Sequence, residues 1–137
     1  MKVLNDFIGI PFLDGGRNYD GCDCWGLVTL YFRDVLNIEL PDYAISAKEF
    51  ESIRTKMLSE LQREDWLVLN TPRGNSIALM RLGDSLGINH AAVLLPDGRL
   101  LQAYENTGSH CVSASSPVWS RLVKYWVVPT KLKKANQ

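Results

Sequence analysis

The segment LLPDGRLL, residues 94–101, constrains the fold of this chain more than any other stretch. Apolar runs flank Pro96, Asp97 and Gly98; Pro presets a type I turn and Gly accepts the left-handed position that follows it. A three-residue loop with a Gly bulge pairs Leu95 with Arg99. Ala92 then lies opposite Gln102 and His90 opposite Tyr104, which makes His90 and Gln102 diagonal neighbours on one face. The alternative is a two-residue Asp-Gly turn. It slips the register, sets His90 against Glu105 and sends Gln102 to the other side.

Other short β-type runs divided by turn residues surround this hairpin: Trp66–Leu69, Ile77–Arg81, His90–Leu95, Arg99–Tyr104, Cys111–Ala114 and Val123–Val128. The first half of the chain has a different period. After a lead-in of one or two helical turns, stopped by Pro11, and a loop over Leu13–Gly21, residues from Asp23 to about Asn37 repeat helically. Cys24, Leu27, Val28, Tyr31 and Val35 share one face. A second helix is expected from Ala47 to Gln62, with Ser46 and Glu49 as a capping box and an apolar stripe through Phe50, Ile53, Met57, Leu58 and Leu61. Helices first and strands afterwards indicate an α+β domain with a mainly antiparallel sheet. We assign residues 1–130 to one domain and 131–137 to a polar tail.

The composition sets limits on function. Fifteen Lys and Arg balance fifteen Asp and Glu among 137 residues. Such a chain lacks a general electrostatic grip on nucleic acid or anionic lipid. No apolar run approaches the roughly 20 residues of a membrane span. Asn5, Asp6 and Pro11 interrupt any secretory core at the start, so the chain is expected to be made in the cytoplasm. Three cysteines, an odd number, read as thiols rather than a disulfide framework.

In GCDCWG, Cys24 falls in the first turn of a helix, where unpaired N–H groups and the helix dipole favour a thiolate. The other reading is a small buried hydrophobe. Of the two histidines, His90 heads an apolar strand, an unfavourable place for an imidazole without a partner, and His110 reads as a solvated loop residue. A Gln102 carbonyl within reach of His90 could fix its tautomer. Cys22, Cys24, His110 and Cys111 could also be considered as zinc ligands. Their Cys-x-Cys and His-Cys spacings fit zinc poorly, and Cys22–Cys24 fits a redox pair no better. Trp66, Trp119 and Trp126 read as packing residues.

GGRNYDGCDCWGLV followed by NHAAVLLPDGRLLQA resembles the NlpC-type cysteine peptidases, papain-like cell-wall endopeptidases. The resemblance covers roughly Phe7 to Ala103. It implies a papain-like fold, with Cys24 as nucleophile, His90 as general base and acid, and Gln102 as the polar residue that orients His90. It links Asp23, beside the nucleophile, to positioning and substrate recognition. No metal and no cofactor are implied, and the substrate is a stem or cross-link peptide of peptidoglycan. Three positions depart from the family pattern. Phe12 stands where a Tyr is usual on the oxyanion side, and Tyr19 in the same loop is a candidate substitute. Trp25 replaces a Ser and could wall the substrate groove or simply pack. Gln102 replaces a His.

The wording IGIPF, GCDCWGLV and IELPDY is most similar to the branch encoded in tailed bacteriophages. That implies a virion protein of the phage tail, with tail-tip or hub proteins as partners and the cell wall as its place of action. A catalytically idle tail subunit on the same fold is the competing expectation.

Overall fold

The computed structural model describes residues 2–41, 66–83 and 88–130. The second helix expected over residues 47–62, with its capping box, and the tail from 131 lie outside these. At the central hairpin the Leu95 N–H donates to the Arg99 carbonyl (2.8 Å) and the Gly98 N–H to the Leu95 carbonyl (3.0 Å). Gly98 has φ +90°, which a side chain would resist. Val93 pairs with Leu101 and Leu94 with Leu100. The three-residue loop and its register are therefore the ones adopted.

That hairpin lies in a six-stranded sheet. Its strands are β3 (Trp66–Leu69), β4 (Ser76–Met80), β5 (His90–Leu94), β6 (Arg99–Tyr104), β7 (Gly108–Ser113) and β8 (Val123–Pro129). Their order is β3-β8-β4-β5-β6-β7, and every pairing is antiparallel. Two small strands, β1 (Arg17–Asn18) and β2 (Gly21–Cys22), pair within the segment expected to be loop. β7 begins three residues earlier than the apolar pattern suggests, because Gly108, at φ +73°, ends a tight turn and lets the ladder start at once. A Cβ on Gly108 would lie 2.7 Å from the Ile10 carbonyl oxygen. That close approach lets the lead-in bond to β7: Gly9 N–H to the Ser109 carbonyl, and Ser109 N–H to the Ile10 carbonyl.

Helix α1 spans Cys24–Leu36 and ends at Asn37, a left-handed cap at φ +56°. Leu27, Val28, Leu30, Tyr31 and Phe32 are buried, but Val35 is 42 % exposed. Val35 instead borders an open pocket with Leu4, Tyr31 and Leu95, while Leu36 in the same turn still packs against the core. Alternation along the strands divides the core. Ile77, Leu79, Ala91, Val93, Leu101 and Ala103 pack with α1, each large side chain contributing about 1.5–3 kcal/mol by burial. Ala78, Met80, Ala92, Leu94 and Leu100 form a second cluster on the opposite face, against Trp119 of the short helix α2 (Pro117–Ser120) and Trp126. The architecture is α+β with a mainly antiparallel sheet, as the order of sequence periods indicates.

Candidate active site

Cys24 is placed by main-chain packing at the head of α1. Asp23 is the N-cap: its carboxylate accepts from the Gly26 N–H (2.8 Å), the Gly15 N–H (2.8 Å) and the Arg17 guanidinium (2.7 Å). The side chain is fully buried, with both oxygens engaged inside the protein. Asp23 thus positions the helix start and its neighbouring loop. Gly26 lets the helix approach that loop, since a Cβ there would strike the Gly16 carbonyl oxygen.

The backbone N–H groups of Trp25 and Ala91 lie beside the Cys24 sulfur and favour its ionised form. The second contact locates it on the sheet. In the alternation of an antiparallel ladder, the Leu95–Arg99 and Val93–Leu101 pairs exchange hydrogen bonds, and Ala91 would come next. Its N–H lies instead beside the thiol, next to His90.

The helix end does not, on balance, acidify Cys24. Burial, reinforced by the Asp23 carboxylate, pushes the thiol up to about 12, against the opposing pull of the two N–H groups and Arg17. This corrects the expectation of a stabilised thiolate. Cys24 is 3 % exposed, and desolvation of a buried anion outweighs the N–H groups at the first turn.

His90 is also 3 % exposed, and burial lowers it to about 4, against the raising effect of its bond to Gln102. Its Nε2 lies 3.0 Å from Gln102 Oε1, the diagonal contact that the hairpin register requires. An amide oxygen only accepts, so Nε2 carries the proton and Nδ1 is the basic nitrogen. The ring stacks on Tyr104, centroids 4.7 Å apart and planes 9° from parallel. Cys24 and His90 rest as a neutral thiol and a neutral imidazole.

His110 is not a loop residue. It lies on β7 directly opposite Gln102, with its Nε2 3.4 Å from Gln102 Nε2 and its Nδ1 3.0 Å from the Gly108 carbonyl oxygen. The signal that could have located it was the tight turn ENTG after Tyr104, which carries the ladder on to residue 110.

Two further expectations change. Tyr19 donates to Asp34 Oδ2 at 2.6 Å. Asp34 is ten residues along α1 from Cys24, roughly 15 Å at helical rise, so Tyr19 does not take the oxyanion position. Trp25 is fully buried, donates its indole N–H to the Pro41 carbonyl (2.9 Å) and packs on Trp66 at 6.1 Å. It packs in the core and walls no groove. Phe12 bridges to Cys22 and borders an open cleft of about 530 Å³ between residues 9–14 and 105–108. Cys22 is buried in β2 and Cys111 half-buried on β7. Among the described residues no three His, Cys, Asp or Glu side chains gather as metal ligands.

Comparisons with known proteins bear on the fold and the family. A probable endopeptidase of Haemophilus influenzae is 25% identical over 124 residues, covering 90% of this chain and 68% of that protein. The crystal structure of the NlpC/p60 domain of the peptidoglycan hydrolase SagA superposes with a TM-score of 0.59 at 16% identity, covering 90% of this chain and 91% of that one. A lipoprotein-like NLP/P60 protein of Staphylococcus aureus gives 0.55 at 17% identity, over 88% of this chain and 37% of the other. The family profile itself matches residues 9–127, nearly the whole described fold and every residue of the Cys24–His90–Gln102 site, and the chain belongs to the NlpC/P60 family.

Proposed function

We propose that this protein is a cysteine endopeptidase that cleaves stem or cross-link peptides of peptidoglycan, with Cys24, His90 and Gln102 as its working residues. The observation that carries the reading is the arrangement around His90. Nε2–H is held by Gln102, Nδ1 is left basic, and the adjacent Ala91 amide lies beside the Cys24 sulfur.

The chemistry follows from the neutral resting pair. As Cys24 sulfur bonds to the peptide carbonyl carbon, its proton passes to His90 Nδ1. The Cys24 amide, at the first position of α1, is the oxyanion donor. Collapse breaks the C–N bond, and His90 returns the proton to the leaving amine. Water then adds to the thioester, giving a proton to His90, and the C–S bond breaks with the thiol reprotonated. Gln102 carries no charge, so it orients the imidazolium without the added stabilisation of a carboxylate.

The motif wording that resembles the phage branch supports a finer reading, a tail-associated enzyme carried in the virion that opens the wall locally beside tail-tip or hub proteins. A second reading is a catalytically idle tail subunit. The near-complete burial of both Cys24 and His90 favours it, because a substrate must open the site before it can react.

Mass spectrometry of purified peptidoglycan fragments separates the two. New peptide products with the wild type and none with Cys24→Ala are expected. Identical digests from both proteins would remove the peptidase reading. Phage carrying Cys24→Ala should lose infectivity on hosts with dense walls; unchanged infectivity would leave a structural role in the tail.

A further inference from the structure

The hydrogen-bond file that ends at His90 begins at a backbone carbonyl. Gly108 O can only accept, so His110 Nδ1, 3.0 Å away, carries the ring proton. Nε2 of a neutral His110 is then an acceptor, and the group facing it is Gln102 Nε2 at 3.4 Å. The Gln102 amide is thereby turned so that Oε1 faces His90 Nε2. Every proton in the file follows from the Gly108 carbonyl. Gln102 alone does not specify this order, because an amide can rotate and present NH2 where it presented oxygen.

We propose that His110 is a positioning residue of this site: held by the Gly108 carbonyl, it sets the orientation of the Gln102 amide and through it the tautomer of His90. It thus supplies the direction that a neutral third residue lacks. Reversal has a defined consequence. A protonated His110 donates from both nitrogens, so Gln102 must turn Oε1 toward it. The amide NH2 then faces His90 Nε2, which must give up its proton, and the His90 proton moves to Nδ1. The basic Nδ1 is lost. The titratable groups around His110 are His90 on β5, Tyr104 on β6 at 5.7 Å between rings, and Cys111 beside it on β7, with Cys24 on α1 beyond His90.

The kinetic consequence rests on the peptidase reading; the tautomer does not. The first test is therefore made without substrate, by long-range ¹H–¹⁵N NMR of the imidazoles in the whole protein. The wild type should show His90 as the single Nε2–H tautomer and His110 as Nδ1–H. His110→Phe, which keeps a ring beside Tyr104 but has no acceptor, should show His90 in mixed tautomers. His110→Gln, whose amide oxygen restores an acceptor, should return His90 to one form. An unmixed Nε2–H His90 in a folded His110→Phe overturns the proposal; so does a wild-type His90 protonated at Nδ1. If His110→Phe does not fold, His110→Ala takes its place.

On peptidoglycan fragments, His110→Phe should lower kcat about tenfold with KM unchanged, the rate equivalent of one hydrogen bond's preference. If the wild type cleaves nothing, the peptidase reading fails and the tautomer measurement still decides the role of His110.

Discussion

At the α1 end of the site, Cys24 is located by backbone, with Gly16 against Gly26 and a buried carboxylate capping the first turn. At the sheet end, His90 is located by a file of side chains whose order depends on where protons sit. The first arrangement is steric, and variants should act on stability before chemistry. The second is electrostatic and directional, and variants should act on chemistry, or on pH dependence, before shape.

The largest effect is expected at Asp23. Asp23→Ala removes the cap, frees the Gly15 and Gly26 amides and leaves Arg17 without its buried carboxylate partner. Cap loss alone costs about 1 kcal/mol, and breaking a buried pair from one side about 3 kcal/mol. Urea denaturation should show a loss of about 4 kcal/mol. A loss below about 1 kcal/mol would mean that the loop, rather than the carboxylate, holds the helix end.

His90 predicts a smaller effect with a pH signature. Its value in the folded state, about 4, lies below the ordinary 6.5, so the native state favours the neutral ring. The unfolded chain takes up the proton first, and stability is lost as pH falls through the window from 6.5 to 4. The loss should reach roughly 3 kcal/mol below that window. Thermal melts of the wild type should show it, and His90→Gln should be flatter across the same range. Parallel curves for the two proteins would place the acid sensitivity elsewhere.

Gly26→Ala reverses a common rule. In an exposed helix that change stabilises by about 1 kcal/mol. Here the new Cβ meets the Gly16 carbonyl, backbone that does not yield, so a loss of about 2 kcal/mol is expected in denaturant titrations. A gain would show that the loop can retreat, and that the packing at the helix end is loose.

The same division explains what could be read from the residues alone. The α1 end was legible because its devices are local: an Asp cap, a helical period and flanking glycines lie within a dozen positions. The hairpin was legible because Pro-Asp-Gly has turn chemistry of its own, and its register carried Gln102 to His90. His110 was not, because TGSHC lacks the apolar alternation that marks a strand and its partner lies one ladder away. The acidity of Cys24 is not legible in the sequence for a related reason. A helix start is visible in sequence, whereas the burial that opposes it is completed by β5 only on folding. Tyr19 lies in the right loop, yet its hydroxyl is taken by Asp34, a partner fifteen positions away.

The smallest effect sharpens the comparison at the sulfur itself. With the thiol pushed up to about 12, the thiolate fraction of Cys24 near neutral pH is far below that of a free cysteine, and iodoacetamide should modify it slowly. Its rate should climb with pH well past the point where a free thiol levels off. Asp23→Asn keeps an N-cap oxygen but removes the negative charge that raises the thiol, while Arg17 remains nearby. Peptide mapping of the alkylated protein should show Cys24 modified about fivefold faster in this variant, equivalent to somewhat less than one unit of acidity. Because Asn retains the cap but not the ion pair with Arg17, its stability should fall by about 1 kcal/mol less than that of Asp23→Ala. Equal alkylation rates in the two proteins would mean that burial alone sets the thiol. In that case Asp23 acts on Cys24 only through the position of the helix.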